Sequence, residues 1–118
     1  MKYIYDRFKC PVFSFGDMNC TKTSQVFKVI YPINGVKHLY ELTENKDNVC
    51  SLHGDPIADS NGKYHGEKTV LDQSYSIDHI VALGTKFNVL QYRTVVDQYA
   101  LDATDHSPVF ADINFNQE

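Results

Sequence analysis

The sequence has the composition of an ordinary globular protein: its 118 residues are 42% hydrophobic and 22% charged. That balance excludes a disordered or fibrous chain, and a chain of this length forms one domain that buries about two thirds of its unfolded surface. No stretch approaches the ~20 apolar residues that a membrane-spanning helix needs. The net charge of -4 argues against a protein held mainly by nucleic-acid phosphates, although it excludes no phosphate substrate.

The cysteines and the N-terminal segment carry no sign of secretion. Three cysteines are an odd number at spacings that fit neither a zinc ribbon nor a disulfide framework, so we expect free thiols at Cys10, Cys20 and Cys50. The first nine residues contain no apolar core and no small-residue cleavage site, so they do not form a signal peptide. This favours the cytoplasm, but localisation stays unassigned because the native N-terminus can lie upstream of Met1.

The first third of the chain predicts a helix, a buried strand and a second helix. Apolar side chains at helical spacing in residues 3–8 share one face, and Pro11 ends this helix. The run Val12–Phe15 is typical of a short buried strand. The hydroxyl-rich run 21–25 offers N-caps for a short helix over Val26–Ile30, which Pro32 and Gly35 end.

The rest of the chain predicts strands around one long loop. Residues 36–44 fit either a helix or a strand. Residues 45–76 are polar and rich in turn formers, which is typical of either a ligand-binding loop or a tolerated surface excursion. Residues 77–83 and 87–96 predict a hairpin or neighbouring strands. Strict alternation predicts a last strand with one apolar face, formed by Val109, Ala111, Ile113 and Phe115.

Acidic, amide and imidazole side chains recur at the ends of three apolar strands. Strand ends in layered folds converge on a common rim, so we expect these residues to meet although they are far apart in sequence. Carboxylate oxygens suit Mg²⁺, which needs only one or two protein carboxylates beside a substrate phosphate. A histidine paired with an aspartate forms a general base. The residues concerned are Asp17, Asn19, Asp78, Asp105 and His106.

Three short motifs carry a resemblance to a known family. They are Gly16-Asp17-Met18-Asn19, Ile77-Asp78-His79-Ile80 and Thr104-Asp105-His106-Ser107-Pro108-Val109. The sequence resembles the endonuclease/exonuclease/phosphatase superfamily, with its deoxyribonuclease I-like fold, in which Gly-Asp-Phe-Asn, Ile-Asp-Tyr-Ile and Ser-Asp-His-x-Pro motifs follow one another. The departures at Met18, His79 and Thr104 are conservative. Each motif alone is weak evidence, but three motifs in the family's order rarely occur together by chance.

The resemblance implies an α/β (α+β) fold. This fold is the C-terminal half of a DNase I-like four-layer sandwich, with mostly antiparallel or mixed sheets and flanking short helices. Residues 1–118 would form a single partial domain, since no motif of the family's first half precedes Asp17. We therefore expect an exposed apolar sheet face, weak binding of Mg²⁺, and little or no activity unless another chain supplies the missing half.

The resemblance also implies a role for each site residue. Asp17 orients or helps to deprotonate the attacking water, and Asn19 donates its amide to a phosphate oxygen. His106 acts as a base or as a hydrogen-bond donor and is oriented by Asp78. Asp105 binds the Mg²⁺ (or Mn²⁺) ion.

Two further histidines carry different expectations. His53 lies where relatives often have a Thr-x-His segment, which implies a role in substrate binding. His79 directly follows Asp78, so it points to the opposite face of the strand and packs rather than reacts.

Two functions are consistent with these residues. The first is a metal-dependent phosphohydrolase, a phosphodiesterase or nuclease-type enzyme that hydrolyses a phosphate ester with an activated water. The alternative is a truncated non-catalytic remnant that folds by association. The expected partners are a phosphate-ester substrate and either the missing half or a second copy. Nucleic acid is one candidate substrate, beside the inositol phosphates and sphingomyelin that other members of the family take.

Overall fold

The chain forms an α+β fold around a central six-residue strand. The computed structural model describes residues 1–116, and the last two residues of the predicted domain lie outside this range. In chain order the elements are α1 (Lys2–Phe8), β1 (Val12–Asp17), a π-helical turn (Val26–Ile30) continued by α2 (Tyr31–Ile33), β2 (Val36–His38), a 3₁₀ turn (Leu39–Leu42), β3 (Ile57–Ala58), β4 (Tyr64–His65), a 3₁₀ turn (Gln73–Tyr75), β5 (Asp78–Leu83), β6 (Phe87–Thr94), α3 (Gln98–Ala103) and β7 (Val109–Phe115).

The seven strands form three antiparallel groups. The central strand β5 pairs with β1 on one edge and with β2 on the other, while β6 pairs with β7 and β3 pairs with β4. The prediction of an α+β fold with mostly antiparallel sheets and short flanking helices is therefore confirmed. Strands β1 and β7 lie where the apolar runs placed them.

The predicted pairing of residues 77–83 with residues 87–96 is wrong. Both segments are strands, but they belong to different groups. Since β1 pairs along one edge of β5 and β2 pairs with residues 81–83 on the other, the end of β5 that leads toward β6 already has a strand on each side. Gly84, which follows β5, has a φ of 119° and lets the chain leave the sheet there.

Apolar side chains of β5 pack on both faces of the sheet. One face buries Ala82 against Leu39 and Tyr92, and this cluster continues to the inward side of the β6–β7 pair. The other face buries Val81 and Leu83 against the helical side of the fold. A strand with apolar residues on both sides is typical of a central, fully covered position. It therefore holds the two layers together.

The segment before α2 differs from the expected capped helix. The predicted hydroxyl caps are wrong: the π-helical turn starts after Gln25, and no side chain caps it. The hydroxyls of Thr21 and Thr23 instead hydrogen-bond to each other at 2.7 Å. Pro32 does not end the helix either, because it occupies the first turn of α2, where a missing N–H costs nothing.

The loop and the last strand agree with the sequence. Residues 45–76 are mostly loop, with two two-residue strands and one 3₁₀ turn, and residues 36–44 divide into a strand and a 3₁₀ turn. In β7 the predicted face packs on the core through Val109, Ala111 and Ile113, whereas Phe115 is exposed. The three cysteines are free thiols, as expected. No helix within residues 1–116 is long and apolar enough to cross a bilayer.

We expect Leu39→Ala to destabilise the fold by about 2–5 kcal/mol, because Leu39 is fully buried in the central cluster and its loss leaves a cavity. Leu90→Ala is the matched control, since Leu90 is 54% exposed on β6 and should cost no more than about 0.5 kcal/mol. Urea unfolding monitored by circular dichroism measures both. Equal losses of stability in the two variants would contradict this assignment of the core.

Candidate active site

Asp78 and His106 make the central contact of the candidate site. Asp78 is the first residue of β5, and His106 lies in the loop before β7. The His106 Nδ1 lies 2.9 Å from Asp78 Oδ2. Because a carboxylate oxygen accepts, Nδ1 carries a proton, and the Nε2 atom of this partly exposed ring is left for another contact. The predicted Asp–His pairing is thus present in the structure.

The pKa of His106 is raised above its ordinary value of 6.5. The hydrogen bond to Asp78 is the main cause, and the negative charges of Asp78, Asp105 and Asp17 add to it against a smaller effect of burial. The imidazole therefore keeps its proton further into the neutral range and can donate to an anion. Since the folded pKa is raised, the stabilisation by this pair is complete below pH 6.5 and is lost as the pH rises through the folded pKa.

Asp17 and Asn19 form a tight turn at the end of β1. The Asp17 Oδ1 accepts the backbone N–H of Asn19 at 2.8 Å, and Asn19 has a φ of 50°, a conformation that asparagine tolerates better than most residues. Gly16 has a φ of 135°, which favours glycine at this position. Both polar side chains are exposed at the rim. The Gly-Asp-x-Asn pattern is therefore a requirement of this turn as well as a motif.

The two strand-end carboxylates face each other. Asp17 is the direct antiparallel partner of Asp78, and ligand atoms of Asp17, Asp78 and His106 all lie within 4.8 Å of one another. Like charges directly opposite in a strand pair are destabilising, and within residues 1–116 neither carboxylate has a lysine or arginine as an ion-pair partner. Two facing carboxylate groups, of which only Asp78 has a basic partner, His106, fit a hard divalent cation that completes its shell with water and phosphate oxygens.

Asp105 is separate from this three-residue group. Its carboxylate lies 3.4 Å from the Thr104 hydroxyl, and its backbone carbonyl accepts the N–H of His53 at 2.7 Å. Its charge reaches His106, since it contributes to the raised pKa of that imidazole. The predicted role of Asp105 as a metal ligand stays a prediction.

His53 is buried beneath the loop that carries His106 and supports that loop through Ser107. Its Nδ1 accepts the backbone N–H of Thr69 at 2.8 Å, so Nε2 carries the proton and donates to the hydroxyl of Ser107 at 2.6 Å. Burial lowers the pKa of His53, and the nearby Lys68 adds to this effect. Both ring nitrogens thus already have protein partners. The predicted contact of His53 with substrate stays a prediction.

Ser51 is a site residue that the sequence reading did not single out. It is fully buried, and its Oγ donates to Asp78 Oδ2 at 2.7 Å. Nothing in the local pattern marked it, because a serine between Cys50 and Leu52 in a polar loop carries no periodic signal.

His79 packs on the opposite face of β5, as predicted. It is fully buried, and its Nε2 donates to the carbonyl of Cys20 at 2.7 Å. Its Nδ1 therefore accepts from His38 Nε2 at 2.8 Å, and His38 Nδ1 accepts the N–H of Tyr40 at 3.0 Å. Burial lowers the pKa of His38 to about 3, with the neighbouring His79 adding to the effect. The two neutral imidazoles thus form a hydrogen-bond chain, the His38–His79 relay, that holds the carbonyl of Cys20, the residue after Asn19.

We expect Asp78→Asn to lower the pKa of His106, because the carboxylate is the main cause of the raised value. The matched control is Asp112→Asn, which changes an exposed aspartate on β7. Proton NMR titration of the imidazole signals measures the pKa in each folded variant. If His106 titrates identically in wild type and in Asp78→Asn, the pair does not govern its protonation.

Comparisons with known proteins bear on the fold of this chain. No family model matches the sequence, and no curated protein matches it either. Solved structures do match the fold. An endonuclease/exonuclease/phosphatase family protein from Bacteroides thetaiotaomicron superimposes with a TM-score of 0.73 and 21% identity over 100% of this chain and 42% of its own.

Two further structures agree with this match. A mannosyl-6-phosphatase from Bacteroides thetaiotaomicron has a TM-score of 0.68 and 20% identity over 98% of this chain and 42% of its own. A family protein from Leptotrichia buccalis has a TM-score of 0.57 and 18% identity over 97% of this chain and 40% of its own. The chain thus spans about two fifths of the length of these structures, and over that length it has the α+β fold of endonuclease/exonuclease/phosphatase family proteins.

Proposed function

We propose that this chain forms one side of the active site of a divalent-cation-dependent phosphohydrolase. The observation that carries the proposal is the Asp78–His106 hydrogen bond of 2.9 Å beside the Asp17 carboxylate, at one sheet rim. The shared fold and the three motifs in the family's order support the same reading. The raised pKa of this partly exposed imidazole, beside a second carboxylate that has no lysine or arginine partner, is typical of a functional site.

Each residue has a chemical role in this proposal. Asp17 orients the attacking water through the carboxylate oxygen that the turn leaves free. Asn19 donates its side-chain amide to a non-bridging phosphate oxygen as charge builds there. His106, held by Asp78 through Nδ1, donates from Nε2 to the phosphoryl group when the imidazole is protonated, or accepts the proton of the water at Nε2 when it is neutral. Asp78 fixes the tautomer and orientation of His106, as in other Asp–His pairs.

Asp17 and Asp78 would hold Mg²⁺ or Mn²⁺ in this arrangement, whereas Asp105 lies outside this group and its role as a ligand stays a prediction. When bound, such an ion offsets the negative charge of the phosphate and of the leaving oxygen. Oxygen donors suit both ions, and His106 is already committed to Asp78, so the imidazole is not needed as a ligand. Two carboxylates alone bind Mg²⁺ weakly, so a further ligand from outside this chain would strengthen the site.

The substrate of the proposed enzyme is a phosphate ester. One structural relative is a mannosyl-6-phosphatase, so a phosphate monoester stands beside the phosphodiester that the sequence favoured. The net charge of -4 and the lack of a basic stripe weigh against duplex DNA as the main ligand. Both ester classes therefore belong in the assay.

The exposed side of the sheet supports a partner that completes the fold. A cavity of about 270 Å³ joins the site to apolar side chains, and it is lined by Phe15, Gly16, Asp78, Ile80, His106, Ser107, Pro108 and Val109. We call the groove formed by these residues the Phe15 groove, because Phe15 is 77% exposed in it. Together with Ile80, Pro108 and Val109, Phe15 forms a contiguous apolar patch beside a polar site, which is typical of an interaction surface. The proposed occupant is the missing half or, in its absence, a second copy.

The alternative function is a non-catalytic remnant that folds by association. The observation that favours it is the coverage of about two fifths of the structural relatives, which leaves the metal with few ligands from this chain. It requires the same association through the Phe15 groove but no turnover. The two functions therefore differ in hydrolysis and agree on the partner.

We expect little or no hydrolysis of bis-p-nitrophenyl phosphate or p-nitrophenyl phosphate by the isolated chain with Mg²⁺ or Mn²⁺. Co-expression with the unmatched part of the Bacteroides thetaiotaomicron family protein should supply the missing ligands and give turnover that EDTA abolishes. His106→Ala should then lower kcat by roughly 10²–10⁴-fold, because it removes the acid–base group. His65→Ala, at an exposed histidine of β4, is the matched control.

Turnover that persists both with EDTA and in His106→Ala would contradict the proposal of a metal-dependent enzyme that uses His106. Turnover by the isolated chain that depends on His106 would instead show that no second half is needed. No hydrolysis in any combination would favour the remnant.

We expect the isolated chain to self-associate, and Phe15→Ser to weaken that association, because the substitution removes the most exposed apolar side chain of the groove. Sedimentation velocity over a range of protein concentrations measures the effect. Tyr99→Ser is the control, since Tyr99 is 91% exposed on α3, outside the groove. A loss of association in the Tyr99 variant alone would place the interface elsewhere.

A further inference from the structure

We propose that Ser51 is a positioning residue for Asp78, and through it for His106. The Ser51 Oγ donates to Asp78 Oδ2 at 2.7 Å, the same oxygen that accepts from His106 Nδ1 at 2.9 Å. The same hydroxyl accepts the backbone N–H of Asp78 at 3.4 Å. One hydroxyl thus contacts both the main chain and the side chain of Asp78, and the catalytic meaning of this contact rests on the proposed function.

The Ser51 backbone is fixed on both sides. Its N–H donates to the hydroxyl of Ser76 at 2.8 Å, and its carbonyl accepts the N–H of Ser107 at 2.7 Å. Ser51, Ser76 and Ser107 are all buried. The hydroxyl of Ser51 therefore has no room to turn to solvent. Its contacts with the carboxylate and with the backbone N–H are both with Asp78.

The same short segment fixes the loop that carries His106. Leu52 forms an antiparallel bridge with His106, and the next residue, His53, donates its N–H to the Asp105 carbonyl at 2.7 Å. The residues on both sides of the Asp78–His106 contact are thus attached to residues 51–53. This places Ser51 where it sets the position of the carboxylate relative to the imidazole.

A carboxylate held by one donor is free to rotate away from a second. Without the Ser51 hydroxyl, Asp78 Oδ2 keeps only its contact with the partly exposed His106. If Ser51 acts by position, its loss lets the carboxylate leave the imidazole, so the His106 Nδ1–H loses its acceptor and exchanges faster with water. If Ser51 only withdraws charge from the carboxylate, its loss strengthens the hydrogen bond from Nδ1–H to Oδ2 and moves the Nδ1–H signal further downfield. The direction separates the two roles.

The test is the NMR signal of the His106 Nδ1–H proton at one fixed pH in the full chain as wild type, Ser51→Ala, Ser51→Thr and Thr94→Val. We expect the downfield Nδ1–H signal to disappear through faster exchange in Ser51→Ala and to be restored in Ser51→Thr, which keeps the hydroxyl. Thr94→Val is the matched control: it removes a buried hydroxyl on β6 that has no hydrogen-bond partner within the described residues, and it should leave the His106 signal unchanged. An unchanged signal, or one further downfield, in folded Ser51→Ala would overturn the proposal.

A second measurement needs no variant and covers the case in which Ser51→Ala does not fold. A hydroxyl proton bound to a carboxylate in a buried position exchanges slowly, so we expect a slowly exchanging Ser51 hydroxyl signal with a coupling to Asp78 in the wild-type chain. Fast exchange with water would refute the contact. Both readouts are independent of turnover, so a chain that passes them and hydrolyses nothing would refute only the proposed function.

Discussion

One oxygen atom, Asp78 Oδ2, is the contact on which the site depends. It accepts from Ser51 and from His106, which lie 27 residues before it and 28 residues after it. A partly buried carboxylate is costly unless donors satisfy it, so the fold brings two donors from distant loops to this point. The long loop of residues 45–76 and the loop before β7 thus share one electrostatic anchor. Their geometry at the rim follows from that anchor more than from any regular element.

The two faces of β5 keep their histidines in opposite states. On the rim, negative charges favour the protonated form of His106. On the other face, burial favours the neutral forms of His38 and His79, and their hydrogen bonds require it. Because the sheet separates the two environments, the raised pKa is confined to the rim while the other side supplies packing.

Local patterns predicted the strands better than they predicted the pairing of those strands. Alternation located β7, and the apolar run located β1, because each depends on residues within one segment. The partnership of β5 with β1 and β2 depends on edges contributed from far away in sequence, so adjacency wrongly favoured β6. The motifs located Asp17, Asp78 and His106 for the same local reason. Ser51 had no local signal, since its importance comes only from the carboxylate that the fold brings to it.

The order of Asp78 and His79 along β5 has a consequence for folding itself. Neighbouring residues of a strand point to opposite faces, so a slip of β5 by one position would turn the Asp78 carboxylate toward the face where His79 now lies. There it would meet Phe27, whose ring centroid lies 4.5 Å from that of His79. The same slip would expose His79 and strip the relay of its acceptor. The misaligned strand is thus destabilised on each face separately. A chain that has aligned this strand wrongly therefore loses its core contacts and the Asp78–His106 contact together.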